Sequence, residues 1–131
     1  ARHQFECEAW ETTQVVSQIG SRHMEVIERW GEMLRSNRYV RRSWLGEDML
    51  SRGTWSEPII VLAPEPGACY PDGQPLPQPY CLLEGHHRLG YLRSMATDEL
   101  PLQPEHQVWI CRPVRDTQTF LPANPASEIN F

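Results

Sequence analysis

The chain has 131 residues, 40% of them hydrophobic, and a formal net charge of −5, and because this length suits one hydrophobic core we expect a single domain over residues 1–131. The negative charge disfavours a general nucleic-acid binder, since such proteins usually present a basic surface. All 12 basic residues are arginines, which excludes mechanisms that need a lysine nucleophile, a Schiff base or a phosphate-loop lysine.

The first part of the chain predicts one edge strand and two helices. Residues 3–10 alternate polar and apolar side chains, as a strand at the edge of a sheet does. Thr12 or Thr13 can cap a helix that carries the apolar side chains of residues 15–19. After a Gly-Ser break, residues 26–34 follow the spacing of an amphipathic helix of about three to four turns.

A cluster of arginines follows that second helix. Within eight residues the chain places four of them around Tyr39, and these are Arg35, Arg38, Arg41 and Arg42. The cluster can contact phosphate or an acidic partner, and we regard these four arginines as candidate partner-binding residues. The alternative is a solvated helix end whose cations complement the helix dipole.

The middle of the chain predicts a short helix, a strand and a long loop. Ser43 is expected to cap a helix that ends near Gly53. Residues 58–63 are an apolar, β-branched run that a proline introduces, which is typical of a strand. Residues 64–79 are rich in proline and predict a surface loop between two neighbouring strands, either a functional lid or an idle insertion.

The next stretch predicts a strand, a tight turn and a helix. Residues 80–83 are apolar and favour a buried strand, and the helical spacing of apolar side chains begins at Leu89. The junction is Glu84-Gly85-His86-His87-Arg88. Gly85 permits a tight turn, and the amide groups that open the helix favour an anion.

Each side chain at this junction has a candidate role. Arg88 can hold two phosphate oxygens at once, and His87 can donate to a phosphoryl oxygen. Glu84 can act as a general base or hold Mg²⁺ through water, so Glu84 and His87 are the candidate catalytic residues. Two other interpretations stay open: a polar helix cap without a ligand, or a zinc site that also uses His106, although adjacent histidines point to different sides of a helix.

The end of the chain predicts one more strand. Residues 106–112 alternate enough for a third strand, which Pro113 is expected to end. Residues 113–131 are polar and contain prolines, so we expect a C-terminal extension that lies over the domain or is partly disordered.

Cysteine usage and hydropathy indicate the cellular context. The four cysteines are widely spaced without a C-x-x-C pair, which favours free thiols and a cytoplasmic protein. No apolar run has the ~18 residues that a membrane span requires, so we expect no membrane partner. We expect the tryptophans Trp30, Trp44 and Trp55 to pack in the core or on the domain surface and not to form a base-stacking platform.

The order of these elements resembles the ParB/sulfiredoxin superfamily over about residues 14–112. In that family a strand ends in Gly-x-(His/Arg)-Arg, and Gly85, His87 and Arg88 occupy the matching positions. The resemblance implies a compact α/β (α+β) domain with a small mixed sheet and flanking helices. It also implies that the turn, with Gly85, His86, His87 and Arg88, binds nucleotide phosphates.

Two departures from the family narrow this expectation. Sulfiredoxins carry a reactive cysteine where this chain has His86, so sulfinic acid repair is disfavoured. ParB partition proteins have Gly-Glu-Arg-Arg at the turn and continue into further domains, for which the residues after Arg112 are too few, so we expect no centromere binding. The form with two histidines is most similar to the free serine kinase group and to ParB-like nuclease domains.

The sequence therefore predicts a nucleotide-binding domain that acts as an ATPase or phosphotransferase. The resemblance implies ATP or another nucleoside triphosphate with Mg²⁺ as the cofactor. Two alternatives are a non-catalytic protein-interaction module on the same fold and a ParB-like nuclease. The net charge weighs against the nuclease.

Overall fold

The computed structural model describes residues 2–114, and in this part of the chain one mixed sheet packs with helices. The strands are β1 (His3–Glu11), β2 (Ile19–Gly20), β3 (Ile59–Leu62), β4 (Tyr80–Glu84) and β5 (Glu105–Pro113). The helices are α1 (Thr12–Gln18), α2 (Met24–Ser36), α3 (Arg38–Arg41), α4 (Trp44–Arg52) and α5 (His86–Thr97). The predicted α/β (α+β) class with a small mixed sheet is confirmed.

The five described strands run in the order β1-β5-β3-β4-β2. β1 lies at one edge, as predicted, and pairs antiparallel with β5 along its whole length, from His3 opposite Pro113 to Glu11 opposite Glu105. β5 and β3 are parallel, β3 and β4 are antiparallel, and β4 and β2 are parallel. The proline-rich loop therefore joins neighbouring strands, as expected, whereas β5 continues through Pro113, one residue further than predicted.

One face of the sheet carries the core. Alternate residues of β3 and β5 point to the same side, and Ile59, Val61, Val108 and Ile110 are fully buried there. Helix α5 contributes the apolar positions that the helical spacing predicted, and these are Leu89, Leu92 and Met95. Burying a side chain of this size stabilises the fold by roughly 1.5–3 kcal/mol, so this face supplies most of the driving force for folding.

Helices α2 and α5 cross at very close range. A Cβ atom added to Gly31 of α2 would lie 2.6 Å from the carbonyl oxygen of Gly90 in α5. Gly90 in turn packs directly against the backbone of Ile27. Because both contacts involve backbone atoms, a larger residue at either glycine would push the helices apart. The crossing thus holds α5, and the turn that precedes it, at a fixed position.

The start of α1 differs from the prediction. Glu11 is the residue before the helix and contributes no side-chain cap, and neither Thr12 nor Thr13 precedes the helix. The hydroxyl of Thr12 instead lies 2.8 Å from Nε2 of His106, a buried residue of β5. The hydroxyl of Thr54 lies 2.7 Å from the other ring nitrogen, Nδ1, of His106. A partner in the core therefore takes the hydroxyl that was expected to cap the helix.

Helix α4 begins and ends as the sequence indicates. The Ser43 hydroxyl accepts a hydrogen bond from the amide of Gly46 at 3.1 Å and donates to the carbonyl of Val40 at 2.6 Å. Gly53 adopts a left-handed conformation with φ 73° just beyond the last helical residue. Both ends of α4 are therefore fixed by local contacts, which holds its first residue, Trp44, in place.

The cysteines and the chain ends complete the fold. All four cysteines are free thiols, as expected, and Cys81 and Cys111 are buried. None of the described helices combines the length and the apolar composition that crossing a bilayer requires. Nearly all of the predicted C-terminal extension, from residue 115 onwards, lies outside the described residues.

Candidate active site

The turn between β4 and α5 requires a glycine. Gly85 has φ 110°, a conformation that side chains other than glycine rarely adopt. A Cβ atom at this position would also lie 2.6 Å from Cγ2 of Ile59. Backbone conformation and packing both select glycine, and the tight turn predicted from the sequence is formed.

Helix α5 begins with amide groups that its own turn leaves without intrahelical partners. The first hydrogen bond of the helix runs from the amide of Leu89 to the carbonyl of Gly85 at 2.9 Å. Among the described residues, no side chain caps this helix start. The amides of residues 86–88 therefore precede the helical ladder, where the positive end of the helix dipole favours an anion.

A cavity of about 520 Å³ opens at this helix start. This volume falls in the range of small-molecule sites, which is ~300–1,000 Å³. Its walls are the turn and the first residues of α4 and α5, and the lining consists of Trp44, Leu45, Ser56, Glu57, Leu83, Glu84, Gly85, His86, His87 and Arg88. All of the predicted catalytic and nucleotide-binding residues therefore surround one cavity.

His86 and His87 point to different sides, as expected for adjacent residues of a helix. The His86 ring lies 5.9 Å from that of His23, centroid to centroid. The His87 ring lies 3.9 Å from that of Trp30 and 6.3 Å from that of Tyr91, with which it is stacked. Aromatic contacts hold the His87 ring and leave its position well defined.

The environment favours neutral imidazoles at this helix start. Burial lowers the pKa of His86, the His23 charge lowers it further, and Glu84 acts in the opposite direction. Burial also lowers the pKa of His87, and the charges of His86 and Arg88 add to that effect. Each ring is therefore neutral at pH 7 and can donate one N–H while accepting at its other nitrogen.

Arg88 is held by the fold. Its Nη1 donates to the carbonyl oxygens of Glu57 and Pro58 at 2.9 and 3.0 Å, and its Nη2 donates to Oε1 of Glu84 at 2.7 Å. The side chain is only 12% exposed. In this arrangement the guanidinium ties α5 to the segment before β3 and adds positive charge beneath the cavity. To bind two phosphate oxygens at once, Arg88 would have to give up hydrogen bonds to these protein oxygens.

Two carboxylates border the same cavity. Glu84 follows the buried part of β4, and Glu57 lies in the segment before β3 with its side chain 87% exposed. In the described part of the chain, no group of three or more His, Cys, Asp or Glu residues is placed to hold a metal ion. Two carboxylates are nevertheless what Mg²⁺ uses when phosphate oxygens and water complete its shell. Both carboxylates line the cavity, and Glu84 is already paired there with Arg88.

The arginine cluster is mostly engaged at helix ends. Arg35 pairs with Glu32 at 2.6 Å and with Asp98 at 2.9 Å, which ties the end of α2 to the end of α5. Arg41 donates to the carbonyls of Leu34 and Arg35 in the last turn of α2. These contacts agree with cations that complement a helix C-terminus.

The other two members of the cluster have different surroundings. The guanidinium of Arg38 lies 5.2 Å from the ring centroid of Tyr39, which is 73% exposed. Arg42, with Arg41 and Trp44, borders a separate open cavity beside α4. The structure does not bring the four arginines to the Gly85 turn.

The proline-rich loop lies on another side of the turn. It packs near His86 from the side of β4, where the Tyr70 hydroxyl is 3.6 Å from the sulfur of Cys81. Arg22 lies over the Tyr70 ring at 3.8 Å and pairs with Asp72. No loop residue lines the 520 Å³ cavity at the start of α5. The loop therefore does not cover that cavity.

Several lining residues carried no sequence signal for a site. Ser56 and Glu57 lie in an irregular segment, and Leu45 follows the pattern of an ordinary helix. Trp44 was expected to pack in the core or on the domain surface, and it lies on the surface, 71% exposed, where it lines the cavity. The sequence indicated only that Trp44 would be the first residue of the helix that Ser43 caps.

Comparisons with protein-family models, with curated proteins and with solved structures found no match.

Proposed function

We propose that this chain binds a nucleoside triphosphate with Mg²⁺ in the cavity at the start of α5. The observation that carries the proposal is that one cavity of about 520 Å³ combines the open helix start with two neutral imidazoles, His86 and His87. Backbone amides and imidazole N–H groups are suitable donors for phosphate oxygens. The likeness of the turn to the Gly-x-His-Arg motif of the ParB/sulfiredoxin superfamily supports the same assignment.

The charge balance of the cavity supports a metal-bound ligand. Its lining contains two carboxylates, Glu57 and Glu84, but one guanidinium, that of Arg88. A bare polyphosphate would meet a negative wall, whereas a magnesium complex would contact both carboxylates favourably. Bound Mg²⁺ would neutralise charge on the transferring phosphoryl group.

Phosphoryl transfer is the reaction class that these residues suit best. The free oxygen of Glu84, whose Oε1 accepts from Arg88, can orient water or a hydroxyl toward the terminal phosphate. His87 can donate its N–H to a phosphoryl oxygen from a ring that Trp30 and Tyr91 hold in place. Positioning and charge neutralisation are the main requirements of this chemistry, which supports an ATPase or a phosphotransferase.

A non-catalytic interaction module is the second candidate. The exposed rings of Tyr39 and Trp44, close in sequence to Arg38 and Arg42, favour it because aromatic and arginine side chains are common at interfaces. A proline-rich loop packed across the cavity would have supported this candidate strongly. The loop lies elsewhere, so nucleotide binding remains the better-supported function.

Calorimetric titration of the full chain with ATP and CTP in the presence of Mg²⁺ tests the proposal. We expect the wild type to bind at least one of them, and chelation of Mg²⁺ to weaken the binding. A double variant, His86→Ala with His87→Ala, should lose at least about tenfold in affinity, because each donor to a charged phosphate contributes ~1.5–3 kcal/mol. No binding by the wild type would refute the proposal.

The matched control is His3→Ala, which removes an exposed histidine on β1 away from the cavity. Its affinity for the nucleotide should equal that of the wild type. Undiminished binding by the double variant would show that the imidazoles do not contact the ligand. Arg88→Ala should weaken both binding and thermal stability, because Arg88 also holds the carbonyls of Glu57 and Pro58. A loss of binding in that variant must therefore be read beside its melting temperature.

A further inference from the structure

The cavity at the start of α5 has a second wall that phosphate binding does not use. This wall is the beginning of α4, where Trp44 and Leu45 line the cavity, and Trp44 also borders the open cavity beside α4. Leu45 is half-buried and packs against the core, whereas Trp44 is 71% exposed. The cavity therefore has a polar, phosphate-compatible side and an aromatic side.

The exposure of Trp44 stands out among the five tryptophans. Trp10 and Trp55 are buried, Trp30 is half-buried, and Trp109 is 39% exposed on the outer face of the sheet. An exposed indole leaves a large apolar surface in water, and a ligand that covered it would gain the free energy of that burial. Its position beside a cavity suits a small planar ligand.

The backbone that carries Trp44 is rigid. Ser43 caps α4 through the amide of Gly46, and its hydroxyl also donates to the carbonyl of Val40. A Cβ atom added to Gly46 would collide with that same carbonyl. Since the helix start is fixed on both sides, the backbone of Trp44 is held beside the cavity, and binding has no ordering cost in that backbone.

We infer that Trp44 stacks on the base of the bound nucleotide, so that the ligand class is a mononucleotide and not a simple phosphate, pyrophosphate or sugar phosphate. This inference rests on the proposed phosphate site. A single stacking ring accepts any base, because every base has a π-face. Polar lining residues such as Ser56 are then available to contact the sugar. Trp44 is thus a ligand-recognition residue.

The experiment compares ATP with inorganic tripolyphosphate, both with Mg²⁺, by calorimetry on the full chain. The wild type should bind ATP more tightly than tripolyphosphate. Trp44→Ala should weaken ATP binding by about 5- to 150-fold, the range found when a stacking aromatic residue is removed, and leave tripolyphosphate binding unchanged. Trp44→Phe should keep most of the difference between the two ligands.

The control is Trp109→Ala, which removes another exposed indole that does not line the cavity and should change neither affinity. If Trp44→Ala leaves the ratio of the two affinities unchanged while the wild type binds tripolyphosphate, the stacking inference is wrong and the phosphate site stands. If the wild type binds neither ligand, the proposed function fails and the inference fails with it.

Discussion

Three histidines of this chain, His86, His87 and His106, occupy two contrasting environments. His106 is 1% exposed, and each of its ring nitrogens lies within hydrogen-bonding distance of a threonine hydroxyl. His86 and His87 border an open cavity, and their rings contact other aromatic rings. Burial lowers the pKa in all three.

The difference lies in what remains available to a ligand. The two hydroxyls match both nitrogens of a neutral His106, because a hydroxyl can donate or accept, so this ring joins β5 to the chain segments at residues 12 and 54. The rings of His86 and His87 contact other aromatic rings, and both residues line the cavity, where a ligand could reach them. The direction of the pKa shift alone would not distinguish the structural His106 from the two cavity histidines.

The largest expected effect is on stability, from His106→Leu. The variant would leave the half-buried hydroxyls of Thr12 and Thr54 without their ring partner, which should lower the free energy of unfolding by about 2–4 kcal/mol. Urea unfolding measures this change. His87→Ala, at the cavity, should lower stability by less than about 1 kcal/mol. Equal losses in the two variants would contradict the contrast between a core histidine and a cavity histidine.

An intermediate effect is expected from pH. Because burial lowers the pKa of His106 in the folded state, the unfolded chain binds the proton first as pH falls. The stabilisation is fully present above a pH of about 6.5 and is lost as the pH falls through the folded pKa, by at most ~1.4 kcal/mol per pH unit for one histidine. Urea unfolding at pH 7.5, 6.5 and 5.5 measures it.

His106→Gln is the matched variant for this pH effect, because glutamine is polar and does not titrate. Its stability should depend less on pH than that of the wild type over the same range. His86→Ala with His87→Ala should retain the His106 part of the dependence. A wild-type slope that survives in His106→Gln would assign the effect to other groups.

The smallest expected effect is on ligand affinity. A phosphate near His86 and His87 favours their protonated forms, so the affinity for ATP with Mg²⁺ should rise about two- to fivefold when the pH falls from 7.5 to 6.5. Calorimetry at both pH values measures the rise. The double alanine variant corrects for titration of the nucleotide itself, and a rise of the same size in that variant would exclude the imidazoles as its source.

The sequence was most informative where local chemistry decides the structure. The strand at 80–83, the need for glycine at residue 85, and the helix cap at Ser43 each follow from a few neighbouring residues, and all three are present. Strand β2 was not predicted, because two residues carry no periodicity and Ile19 pairs with Tyr80 only through the fold.

The contacts of distant segments could not be predicted. Arg88 meets the carbonyls of residues 57 and 58, and His106 meets the hydroxyl of Thr12, across about 30 and 94 positions of chain. Both side chains looked equally available for chemistry in the sequence. The threonine expected to cap α1 was misassigned for the same reason, since its hydroxyl has a buried partner in β5.

The hydrogen bonds of Arg88 have a consequence for how such turns are recognised in other proteins. An arginine that donates to two backbone carbonyls and a carboxylate stabilises the turn whether or not a ligand binds. Gly85 is likewise required by the backbone. Selection for a stable turn would preserve Gly85 and Arg88 even without a ligand, whereas His86, His87 and Trp44 would be preserved only where the proposed nucleotide site is used. Those three positions, and not the motif itself, are therefore the ones whose presence in another protein would support the proposed site.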